Sequence, residues 1–90
     1  MEHELRKGAT MTVMELGRTP LADRVILERA RRDWSQEDLA REAGVSPATV
    51  AKVEKGRGST RARTLYKIAA AFGIDAAELY ELVREGSDDA

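Results

Sequence analysis

Between Gln36 and Lys67 the chain concentrates side chains that can grip a phosphate or the edge of a base. Within Lys52–Lys67, six bases (Lys52, Lys55, Arg57, Arg61, Arg63 and Lys67) face Glu54 as the only acid. Gln36, Ser46, Thr49, Ser59 and Thr60 add uncharged hydrogen-bonding groups nearby. Ammonium and guanidinium groups donate strong, charge-assisted hydrogen bonds to phosphate oxygens. Bond-making chemistry has no comparable support. The chain carries one histidine, His3, and no cysteine, so no nucleophile pairs with a base. No glycine-rich phosphate loop follows a strand and no metal-ligand spacing occurs. Neither an enzyme nor a cofactor or metal site is expected.

The net charge of −1 conceals this concentration. Residues 1–19 set Arg6, Lys7 and Arg18 against Glu2, Glu4 and Glu15, a balance of zero. Residues 20–74 hold eleven bases and seven acids, giving +4, and residues 75–90 hold Arg84 against six acids, giving −5. A basic stripe beside an acidic segment is the electrostatic footprint of a polyanion binder. Charge alone fits a solvated basic loop equally well. Ninety residues support one domain with a modest core. Without cysteine, no disulfide can supplement that core, which fits a reducing compartment. No stretch approaches the roughly 18 apolar residues of a membrane span, and the N-terminus lacks the apolar run of a secretory signal. The expectation is a cytoplasmic protein with neither a membrane partner nor a small-molecule ligand.

The elements that position these groups read as helices. Residues 10–16, Thr-Met-Thr-Val-Met-Glu-Leu, are β-branched and apolar and bounded by Gly17 and Pro20, which suggests a short strand or an extended arm. From Leu21 to Arg32 no glycine or proline intervenes, and Leu21, Val25 and Ala30 are read as one helical face. Ser35 caps a second helix, with Asp38 placed where the helix dipole favours negative charge. Leu39, Ala40 and Ala43 form its inner face, and Gly44 ends it. Ser46 caps a third helix with Pro47 at its first position; Val50 and Val53 face inward and Gly56 stops it. Thr60 is read as the cap of a fourth helix carrying Leu65, Ile68, Ala69 and Phe72. Asp75-Ala76-Ala77-Glu78 has the form of a capping box that opens a fifth helix with Leu79, Leu82 and Val83. The fold class expected is all-α. Three parts follow: an N-terminal arm (1–19), a helical domain (20–84) and a polar acidic tail (85–90).

Two short helices meeting around a tight turn need a small residue where they approach, a residue tolerant of unusual dihedrals in the turn, and apolar residues on either side. Ala40, Gly44, and the set Leu39, Val45, Val50 and Val53 meet these demands in register. The sequence here resembles the lambda-repressor-like, or xenobiotic-response-element, family of helix-turn-helix regulators, from about Leu21 to Val83. The matching segments are Ser-Gln-Glu-x-Leu-Ala at Ser35–Ala40, Ala-Gly-Val-Ser at Ala43–Ser46 and Val-Glu-Lys-Gly at Val53–Gly56. Leu-x-x-Ile-Ala at Leu65–Ala69 and Phe-Gly-Ile at Phe72–Ile74 extend the match. The resemblance implies a five-helix fold whose third helix enters the major groove of double-stranded DNA.

Side chains at the N-terminus of a recognition helix point at base edges. Here those are Ser46, Pro47, Ala48 and Thr49, with Lys52 one turn on. Lys52 can donate to guanine, and the methyl groups of Ala48 and Thr49 can pack on that of thymine. The resemblance places Gln36 at a position that clamps the DNA backbone. Lys55, Arg57, Ser59, Thr60, Arg61 and Arg63 are expected on phosphates, with Arg61 or Arg63 alternatively entering a narrow minor groove. Structural readings stand beside these. Gln36 also suits the first turn of a helix, Ser46 is first a cap, and Trp34 reads as a plug at the corner between the first two helices. Glu54 facing DNA would repel phosphate; the resemblance implies instead an ion pair between Arg29 and Glu54. Tyr80 either closes the C-terminal core or lines a partner surface.

Departures from the family pattern lie on the first helix. Glu28 occupies a position where the family places a buried leucine, while Ile26 and Leu27 fall where polar residues are common. Either residues 10–16 cover a second face, within one subunit or exchanged between two, or the helix register differs from this alignment. The arm is expected to contribute to a dimer interface. The function expected is a homodimeric transcription repressor reading an inverted-repeat operator. The alternative is an antitoxin or similar interaction module, using the acidic 75–90 segment with Tyr80 and Val83 to hold a toxin or anti-repressor.

Overall fold

The computed structural model describes residues 19–56 and 59–86. Five helices follow one another: α1 (Pro20–Arg31), α2 (Gln36–Ala43), α3 (Pro47–Lys55), α4 (Ala62–Phe72) and α5 (Ala76–Gly86). No strand occurs among the described residues, and the architecture is all-α. The arm or strand expected over residues 10–16, the loop residues Arg57 and Gly58, and the tail beyond Gly86 lie outside the described residues. The fifth helix includes Glu85 and reaches Gly86, past the boundary drawn at residue 84.

Helix α1 starts one residue earlier than its apolar pattern suggests. The Thr19 hydroxyl accepts the Ala22 amide at 3.1 Å, and Pro20 takes the first helical position, where a missing amide costs nothing. Its inner face is Leu21, Ala22, Val25 and Glu28; Ala30 is exposed, because five residues past Val25 a helix has turned well away from the core. Helix α2 opens on a full capping box. The Ser35 hydroxyl accepts the Asp38 amide at 3.0 Å, and the Asp38 carboxylate accepts the Ser35 amide at 2.9 Å. That amide, together with Arg41, holds the Asp38 carboxyl below its usual range.

Two caps differ from expectation. Helix α4 has Arg61, not Thr60, at its N-cap, with no side chain capping it. At α5 the Asp75 carboxylate accepts the Ala77 amide at 3.0 Å, but Glu78 does not reach back to complete a box. Its carboxylate is taken by Arg24 of α1 at 2.8 Å, a charged partner that a backbone amide cannot match.

The core joins all five helices through Leu21, Val25, Leu39, Val50, Leu65, Ile68, Phe72 and Leu79, with Ala40 and Ala69 where helices approach closely. α1 packs on α3 and α5, while α4 packs on α2 and α5. Trp34 stacks on Phe72 with ring centroids 5.9 Å apart and so plugs the corner after α1. Gly56, in left-handed conformation at φ +69°, ends α3 against Thr19. A Cβ there would lie 3.2 Å from the Thr19 amide nitrogen, so the start of α1 and the end of α3 touch through a position only glycine suits.

Glu28 is buried, at 3 % exposure, although it is charged. Its carboxylate accepts from Arg24 at 2.7 Å and from Arg32 at 2.8 Å. Arg32 also donates to the Phe72 carbonyl at 2.6 Å, satisfying one of the free acceptors at the end of α4, and lies over the Phe72 ring. Arg24 continues to Glu78. A leucine here would only fill space; the glutamate holds α1 to α4 and α5. Of the two apolar residues beside it, Ile26 is half-buried and Leu27 is 47 % exposed.

The hydrogen bonds from Arg32 and Arg24 lower the Glu28 pKa from 4.5. Its stabilisation is therefore complete above the ordinary carboxylate range and disappears as pH falls through the lowered native value. Glu28→Gln should cost about 1–3 kcal/mol at neutral pH. Urea unfolding across a pH series should show that difference closing in acid.

Candidate nucleic-acid interface

The turn between α2 and α3 is set by backbone chemistry. Gly44 adopts φ +73° and its amide bonds to Arg41, and the Val45 amide returns to the Ala40 carbonyl at 3.0 Å. Two of the carbonyls that the end of α2 would leave free are thereby satisfied. Val45 then packs against the core, and Ala40, at 2 % exposure, lets α2 and α3 approach. α3 begins at once, with the Ser46 hydroxyl accepting the Thr49 amide at 3.1 Å and Pro47 next in line.

One face of α3 holds the helix and the other is open. Val50, Val53 and Glu54 are buried. Ser46, Pro47, Ala48, Lys52 and Lys55 are exposed, and Thr49 and Ala51 half-buried. The structure brings Arg29 and Glu54 together. Arg29 donates from Nε at 2.7 Å and from Nη2 at 3.0 Å to the two carboxylate oxygens, a fork that fixes direction as well as distance. Arg29 also donates to the Trp34 carbonyl at 2.8 Å, and the Gln36 amide donates to Glu54 at 2.9 Å. Gln36 therefore serves the internal network with one amide proton and keeps the second. The Glu54 carboxylate is turned inward and neutralised, so it does not oppose an anion bound outside.

Beside the open face lies a polar cleft of about 260 Å³ between α3 and the start of α4, lined by Thr49, Lys52, Val53, Ser59, Thr60, Arg61 and Thr64. It gathers five of the residues singled out from sequence. Arg61 is also the N-cap residue of α4, a helix end that no side chain caps and whose dipole favours an anion. Lys55 and Arg63 are exposed outside the cleft, and Arg57 lies outside the described residues. Thr64 was not singled out. Its signal was available, since it stands three residues, about one helical turn, after Arg61. Also unforeseen is the 2.9 Å hydrogen bond between the Ser46 and Thr49 hydroxyls. With Thr49 half-buried on the cleft, the hydroxyls at the tip of α3 engage each other.

Comparison with known proteins fits this geometry. The helix-turn-helix family profile HTH_3 matches residues 25–79. A hypothetical transcription factor from Neisseria meningitidis serogroup B is 39% identical over 62 residues, which cover 69% of this chain and 58% of that protein. The chain thus spans under two thirds of that relative's length. An uncharacterized HTH-type transcriptional regulator from Methanocaldococcus jannaschii is 36% identical over 52 residues, covering 58% of this chain and 79% of the relative. Among solved structures, the crystal structure of a hypothetical transcription factor from Neisseria superposes with a TM-score of 0.63 at 37% identity. That superposition covers 72% of this chain and 71% of that one.

The forked pair should register as coupling. In a double-mutant cycle of Arg29→Met and Glu54→Gln, urea unfolding should return a coupling energy of about 1–3 kcal/mol. Arg29→Lys should recover only part of it, because a single ammonium cannot reproduce the fork. A coupling near zero would remove this pair from the forces that orient α3.

Proposed function

The chain belongs to the helix-turn-helix family HTH_3, and from that premise we propose that it is a cytoplasmic, sequence-specific double-stranded DNA-binding regulator, acting as a homodimeric repressor on an inverted-repeat operator. The observation that carries this reading is the division of α3 into a locked inner face and an open outer face beside a basic, polar cleft. An α-helix fits the major groove, and its N-terminal side chains approach base edges there.

The residues take distinct roles in this reading. Ser46 and Thr49 hold the tip of α3, so the groups offered first to the groove are the apolar Pro47 and Ala48, matched to the thymine methyl. Lys52, one turn on, donates to guanine O6 or N7. Lys55, Arg57, Ser59, Thr60, Arg61 and Arg63 set affinity and register on phosphates, joined by the free amide proton of Gln36. Two copies related by a two-fold axis would place their recognition helices on half-sites about 34–36 Å apart. One recognition helix buries too little surface for tight binding, so the second copy supplies the affinity.

Selection from random duplexes at two salt concentrations tests the whole reading. An enriched inverted repeat, bound more weakly as salt rises, is the expected result. Salt-sensitive binding without any enriched sequence would overturn it in favour of a protein-interaction module. On the selected operator, Lys52→Ala should cost about 1–3 kcal/mol per half-site and relax preference at one position in each, while Arg61→Ala should weaken all sequences alike and reduce the salt slope by about two, one phosphate contact from each copy. Replacing thymine by deoxyuracil at the base beside Ala48 should lower affinity roughly fivefold, about the value of one buried methyl group. Equal binding of every uracil-substituted operator would exclude methyl readout.

A further inference from the structure

The open face of α3 is unevenly supplied with hydrogen-bonding groups. Pro47, Ala48 and Lys52 are exposed and Ala51 is half-buried. Ala48 stands second in the helix, where the side chains of a recognition helix meet base edges. Neither alanine nor proline carries a side-chain donor or acceptor. The hydroxyls beside them are engaged: Ser46 and Thr49 share a hydrogen bond of 2.9 Å, and Ser46 also accepts the Thr49 amide at 3.1 Å. The Lys52 ammonium, one turn beyond Ala48 on the same row, is the first charged group along the helix. The tip itself is apolar.

In the major groove each base pair shows a pattern of donors and acceptors, to which thymine adds a methyl group on C5. An apolar side chain can read only that methyl. A cytosine methylated at C5 carries the same group at the same place on the ring. What separates the two pyrimidines is the neighbouring atom, the O4 acceptor of thymine or the N4 donor of cytosine. Telling them apart takes a side chain that bonds to that atom, and neither Ala48 nor Pro47 has one. Unmethylated cytosine offers the alanine no such contact.

We propose that the tip of α3 accepts 5-methylcytosine in place of thymine, through Ala48, so that C5 methylation of a cytosine in the operator raises the affinity of this protein for it. This rests on the reading of α3 as a recognition helix and adds to it a response to covalently marked DNA. A site with cytosine beside Ala48 is bound more weakly until that base carries its methyl group.

The test uses the full chain and the selected operator at fixed salt, with affinity read by fluorescence anisotropy. At each base pair of one half-site four duplexes are compared. They carry thymine, deoxyuracil, cytosine or 5-methylcytosine at the same place, each opposite its own partner base. Where the thymine methyl counts, the cytosine methyl should raise affinity by the same factor, about fivefold, the value of one buried methyl group. Ala48→Gly should abolish both increments while circular dichroism shows the helices intact, since Ala48 is exposed and its loss opens no cavity. The wild-type comparison stands independently of that variant. A cytosine methyl without effect where the thymine methyl counts would overturn the proposal. So would an operator indifferent to both methyls at every pair. Increments that survive Ala48→Gly would also overturn it, by assigning them to duplex shape or to another side chain. Failure of the DNA reading itself would show separately, as a selection that enriches no sequence.

Discussion

The orientation of α3 depends on one buried contact, the fork between Arg29 and Glu54. Hydrophobic burial gathers the helices but is nondirectional; Val50 and Val53 would pack nearly as well with α3 rotated by some degrees. A guanidinium bonded through two nitrogens to two carboxylate oxygens tolerates no such rotation. The Trp34 carbonyl and the Gln36 amide then tie the end of α1 and the start of α2 to the same point. A buried ion pair of this kind is a weak source of net stability, because desolvation offsets much of the attraction. Its value lies in selecting one arrangement among several of similar energy.

A second polar cluster, built on the neighbouring residue of α1, does comparable work. Glu28, Arg24 and Arg32 join α1 to the end of α4 and to α5 through a carboxylate, a backbone carbonyl and an aromatic face. Both clusters leave no buried side-chain donor or acceptor without a partner among the described residues. In a domain with so modest a core, unpaired polar groups would cost a large share of the stability. The positions of α3 and α5 are thus fixed by polar contacts laid over a hydrophobic frame.

Most of the frame was legible because its signals are local. Ser35 with Asp38, Ser46 with Pro47, and the glycines that stop α2 and α3 act within a few residues, and periodicity picked out Leu39, Leu65, Ile68 and Phe72. What escaped depends on distant partners. Glu28 reads as an oddity until Arg32 and Phe72 are beside it. Glu78 fits a capping box until Arg24, far away in sequence, claims its carboxylate. Arg61 replaces Thr60 as the cap position because a shift of one residue in where α4 starts leaves no clear mark on the apolar pattern. At the candidate site the basic residues were visible from composition. The mutual engagement of Ser46 and Thr49 was not, since either hydroxyl alone reads as a group offered outward.

The two-faced character of α3 has an evolutionary consequence. The side chains of Pro47, Ala48, Ala51 and Lys52 make none of the hydrogen bonds that cap, orient or seat the helix, whereas the Ser46 hydroxyl, the Glu54 carboxylate and the left-handed backbone of Gly56 do. Substitutions at the first group therefore leave the scaffold intact, and drift there is free of the folding constraint that freezes the second. A duplicated copy of this gene can acquire a new vocabulary by changing a few outward letters while inheriting its grammar unchanged.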